Sequence, residues 1–119
     1  MAGNTRERIL EVSLELFAQS GYLGTSMSDI AKQLGITKGA LYKHYRSKQE
    51  ILDWIVERMN EMDYARAAEY EMPETEPDGF AEAYLHTPVG KIRAYSEAQF
   101  DHWTKEPFAA NFRRMLTLE

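Results

Sequence analysis

Residues 25 to 48 read TSMSDIAKQLGITKGALYKHYRSK, and the reading of this stretch decides the fold. Met27, Ile30, Ala31 and Leu34 fall at i, i+3, i+4 and i+7, which puts them on one face of a helix. Ser26, three residues before Asp29, predicts a capping pair at the start of that helix. The hydroxyl accepts from a first-turn N–H, and the carboxylate answers the helix dipole. Gly35 predicts the end, because a residue without a side chain takes left-handed backbone at little cost. Ile36 then turns back to the core, and Thr37 predicts the cap of a second helix carrying KGALYKHY.

At 100° per residue, Leu41 and Tyr45 point toward the first helix while Gly39 and Lys43 point nearly opposite, with Ala40 and Tyr42 on the flanks. The outward face is small, basic and aromatic. Two helices joined by a short turn around a glycine define a helix-turn-helix, whose second helix enters the major groove of DNA. Gly39 and Ala40 leave room for backbone to approach a duplex, and Lys38 and Lys43 can reach phosphates or guanine O6 and N7. Tyr42 and His44 can donate to phosphate oxygens, which fixes register without reading sequence.

The run IAKQLGITKGALYKHYRSKQEIL, with ILEVSLELFAQSGYLGTSM upstream, resembles the N-terminal signature of the TetR (tetracycline-repressor-like) regulators over about residues 6 to 55. Leu-Tyr-x-His-aromatic-x-x-Lys follows the Leu-Gly-Ile turn at the family's spacing. The resemblance implies that Ser28, Lys38, Gly39 and Lys43 face base edges, Gly39 through its backbone alone. It implies that Thr37, Tyr42, His44 and Lys48 contact phosphate. It also implies an all-α fold: a three-helix DNA-binding head over residues 1–47, a connecting helix over 48–71, and a helical body over 72–119 for effector binding and dimerisation.

Charge is divided along the chain. Residues 1 to 48 hold seven Lys and Arg against four Asp and Glu, a balance of +3, and the remaining 71 hold seven against fifteen, a balance of −8. The overall −5 argues against nucleic acid, but a basic head on an acidic body argues for it. With no cysteine, disulfides, thiolate metal sites and cysteine nucleophiles are excluded. MAGNTRERIL lacks the apolar stretch of a signal peptide, and no run of about 18 apolar residues suggests a membrane span, so a cytoplasmic protein is expected.

In chain order, Asn4 or Thr5 predicts the cap of a first helix running to Ser20 and stopped by Gly21, with Ile9, Ser13, Leu16 and Phe17 as its stripe. Arg6 and Arg8, beside its N-terminus, suit phosphate contacts and solvated charges equally. Ser47 and Glu50 form a second capping box that opens the longest helix, with Ile51, Leu52, Ile55, Val56, Met59 and Met62 as a broad stripe. MPETEPDG, residues 72 to 79, predicts a loop and the domain boundary. A short helix is expected from Phe80 to about His86. Thr87 and Pro88 then predict a cap and first helical position, opening a helix to about Thr104 with Val89, Ile92, Phe100 and Trp103 on one face and Tyr95, Ala98 and His102 on another. Pro107 restarts the chain, and Phe108, Phe112, Met115 and Leu116 mark a last helix. The sequence stops at LTLE without a stop signal, so a fragment or shortened variant is expected, lacking the helices that the resemblance implies for dimerisation.

The resemblance gives the second half a small-molecule effector, with Tyr95, Gln99, Phe100, His102 and Trp103 as candidate contacts. An aromatic stripe at helical spacing is also what a core looks like. His44, His86 and His102 match no metal-ligand spacing, and no phosphate loop, dinucleotide fingerprint or nucleophile elbow is present, so no metal, cofactor or catalysis is expected. The expected partners are double-stranded operator DNA, an effector and a second copy of the chain, with the mechanism that of a ligand-released repressor. A protein-protein adaptor using the motif as scaffold is the alternative, and a small helical enzyme stands behind both.

Overall fold

A computed structural model describes residues 4–73 and 85–118 of the chain, and within them every regular element is a helix. The order is α1 (Thr5–Ser20), α2 (Met27–Leu34), α3 (Lys38–His44), α4 (Lys48–Glu69), α5 (Val89–Lys105) and α6 (Pro107–Leu118).

Each early boundary follows from a side chain or a glycine. The Asn4 side chain accepts from the Glu7 N–H at 3.4 Å, and Gly21, at φ 81°, ends α1 with its own N–H on the Phe17 carbonyl. The Ser26 hydroxyl accepts from the Asp29 N–H at 3.0 Å while the Asp29 carboxylate accepts from the Ser26 N–H at 2.8 Å, closing a reciprocal box. Gly35 is left-handed at φ 73° and ψ 28°. The Ser47 hydroxyl caps α4 through the Glu50 N–H, but the Glu50 carboxylate accepts from the Arg46 N–H, one residue before the position that a capping box uses.

A single core runs through the described residues. Ile9, Leu14 and Phe17 of α1 meet Ile30 and Ala31 of α2, Leu41 of α3, and Ile51 and Ile55 of α4; Phe108, Ala109 and Met115 of α6 join the same cluster. α6 therefore packs along α1, although the sequence division puts these helices in different segments. The Arg58 guanidinium of α4 lies 4.1 Å over the Phe108 ring and pairs with Glu11 of α1 at 3.4 Å, so one cation ties three helices together.

Two expected stripes differ from the observed faces. On α4, Ile51, Ile55 and Met59 are buried and Leu52 and Met62 half-buried, but Val56 is 40% exposed. The stripe continues instead to Arg66, only 9% exposed, whose guanidinium bonds Gln99 Oε1 of α5, Asp63 and the Met62 carbonyl. On α5, Val89 and Phe100 are 74% and 68% exposed, while Tyr95, Gln99, His102 and Trp103 are half-buried. Helix α5 begins at Val89, with Pro88 in the capping position and no side-chain cap. The expected helix from Phe80 to His86 lies outside the described residues up to position 84, as does most of the loop at 72 to 79.

Candidate nucleic-acid interface

A seven-residue helix is too short to persist on its own hydrogen bonds, so α3 depends on its anchors. Leu41 and Tyr45, one turn apart, are 0% and 2% exposed, and the Tyr45 hydroxyl donates to the Arg6 carbonyl at 3.0 Å. The Thr37 hydroxyl accepts from the Ala40 N–H at 3.0 Å and fixes the other end. With that side committed to the core, Lys38, Gly39, Tyr42 and Lys43 are exposed and His44 half-buried. Ser28 is exposed in the first turn of α2. Asp29 beside it is held below the usual carboxylate range, first by the Ser26 N–H and then by the Ser26 hydroxyl.

Gly39 separates what the fold requires from what an approaching molecule would require. A Cβ built there would meet nothing nearer than the Thr37 hydroxyl at 4.0 Å, so no neighbour among the described residues demands glycine. At Gly24 the same atom would lie 2.2 Å from the Ser20 carbonyl oxygen, and glycine is obligatory for the fold.

Lys48 is placed differently from the other candidates. Its ammonium donates to the carbonyls of Tyr22 at 2.6 Å and Thr25 at 2.9 Å and sits 4.1 Å over the Tyr22 ring. Two of its three N–H donors thus clamp the α1–α2 loop onto the start of α4 instead of facing solvent. Arg6, which suited phosphate or water on sequence grounds, is also drawn inward, with Nη1 donating to the His44 carbonyl at 2.8 Å. Arg46 is exposed one residue past Tyr45.

Of the five candidate effector contacts, Tyr95, Gln99, His102 and Trp103 are half-buried and Phe100 is exposed. Gln99 accepts from Arg66 Nε, Trp103 packs edge-on to His102 with ring centroids 6.3 Å apart, and Tyr95 tilts against Tyr70 at 6.2 Å. Phe100 is exposed on the outer side of α5, over a surface hollow with Arg93, Ser96 and Asp101. The His102 imidazole is pushed below its ordinary value, mainly by burial and then by the Arg66 charge, and its Nε2 has no partner among the described residues. A cavity of about 480 Å³ opens instead between α1 and α4, beside Arg6, Leu10, Tyr45, Trp54 and Met62.

Residues 9–55 match the family of bacterial regulatory proteins described as tetR family. Over those residues the chain is similar to the DNA-binding segment of the TetR family. The HTH-type transcriptional regulator AcrR of Shigella flexneri is 45% identical over 56 residues, 47% of this chain and 26% of that protein. A solved transcriptional regulator (TerR/AcrR family) from Aquifex aeolicus VF5 is 34% identical with a TM-score of 0.55, over 96% of this chain and 66% of that one. A structure described as the molecular basis for control of antibiotic production by bacterial hormones gives a TM-score of 0.64 at 28% identity, over 99% and 57% of the two chains. The match thus spans about a quarter of the curated relative's length. Among the described residues no helix is long and apolar enough to cross a membrane.

Proposed function

We propose that this chain is a DNA-binding transcriptional regulator of the cytoplasm, a repressor that holds operator DNA as a homodimer and is released by a small ligand. The observation that carries this reading is the division of α3, with Leu41 and Tyr45 sunk in the core and Lys38, Tyr42 and Lys43 left outside. Nothing in the core needs those three side chains, and their chemistry suits a phosphate-lined groove. Ser28, Lys38, Gly39 and Lys43 are assigned to base edges and Thr37, Tyr42 and His44 to phosphate. Lys48 joins them only through its third N–H. Paired heads would read half-sites about 34–36 Å apart or a multiple of that. A ligand filling the body would bias α4, whose first turn carries the Lys48 clamp, and would release DNA by its differential affinity for the two states.

Duplex binding measured across a salt series tests this. Affinity is expected to fall steeply with salt, with a log–log slope of about −0.9 per neutralised phosphate. Lys43→Ala should cost about 1–3 kcal/mol at one base position, whereas Tyr42→Phe should weaken all sequences alike. Binding that ignores salt would favour the protein-protein adaptor, and equal losses for both variants would dissolve the split between base and phosphate contacts.

A further inference from the structure

The carbonyls of the last turn of any helix need partners from outside it. In α3 one such partner comes from far upstream: Arg6 Nη1 reaches the His44 carbonyl at 2.8 Å across 38 residues of sequence. The same guanidinium lies 4.5 Å over the Tyr45 ring and 6.0 Å from the Trp54 ring of α4. The Tyr45 hydroxyl returns a bond to the Arg6 carbonyl, so the contact is reciprocal. A cation at a helix C-terminus also answers the negative end of the dipole. Only a planar guanidinium can donate in its own plane while its faces cover aromatic rings.

We propose that Arg6 is a positioning residue for the recognition helix: it caps the C-terminus of α3, fixes that end against α1 and α4, and does not contact DNA. Lys43 and His44 occupy the capped turn, so the cap decides where two proposed DNA contacts stand. The effect on DNA rests on the function proposed above; the effect on α3 does not.

Arg6→Ala and Arg6→Lys in the full chain separate these possibilities through two readouts, hydrogen exchange at the amides of residues 41–45 and duplex affinity across a salt series. Arg6→Ala is expected to speed exchange in that turn about tenfold while amides in the middle of α4 hold. It should weaken duplex binding about tenfold with the salt slope unchanged. Arg6→Lys should recover part of both, since an ammonium can still donate to the His44 carbonyl. A slope smaller by about one phosphate would make Arg6 a DNA contact and overturn the proposal. Unchanged exchange in α3 would overturn it as well. If the wild-type chain bound no duplex, the function would fail while exchange still decided the cap. Should Arg6→Ala not fold, Arg6→Lys against wild type carries both readouts.

Discussion

Gly39 is the second residue of α3, and nothing among the described residues crowds it. Glycine within a helix costs about 0.5–1 kcal/mol relative to alanine, through the freedom it loses on folding. Gly39→Ala is therefore expected to stabilise the protein by about that amount in a thermal melt, and to weaken duplex binding because the added methyl stands where a duplex would approach. A stabilised variant that bound DNA undiminished would show that nothing comes close to this backbone. Lys48 gives the opposite lesson. Its position in the motif suited a phosphate, but two loop carbonyls 23 and 26 residues earlier in sequence hold its ammonium. Sequence fixed the charge, and only the approach of the α1–α2 loop fixed where it points.

Among the elements, α2 and α3 were legible and α5 was not. The caps at Ser26, Gly35 and Thr37 act within four residues of themselves, so local spacing found them. α5 carries apolar residues around much of its circumference, and periodicity cannot say which of them meets α4. The inward face turned out to hold polar groups, Gln99 on Arg66 and His102 beside them. This junction predicts a pH dependence. His102 titrates below its ordinary value in the folded chain, so as pH falls through the unfolded value of about 6.5 the unfolded state takes up the proton first. Stability is full above that value and is lost as pH falls through the lower, folded one. His102→Gln should lose less stability than wild type between pH 7.5 and 5.5 in urea titrations; equal losses would remove His102 as the cause.

For the molecule as a whole, the decisive contact is α6 on α1, because it joins the second half to the DNA-reading helices through Phe108, Ala109 and Met115. Truncating a buried aromatic costs about 3–5 kcal/mol. Phe108→Ala is expected to lose that much and to lower the melting of α1–α3 and α6 together, followed by denaturant unfolding with amide exchange in each helix. An unshifted α1–α3 would mean that the head folds without α6.

The amino-acid sequence alone determined the helix-turn-helix, its caps, the outward face of α3 and the charge division between the halves. Each of these depends on residues a few positions apart, where backbone geometry sets who meets whom. Tertiary structure alone decided that Arg6 caps α3, that Lys48 clamps a loop, that Arg66 is buried and that α6 lies on α1. Those pairings join residues far apart along the chain, and helical periodicity names the members of a face without naming the face opposite.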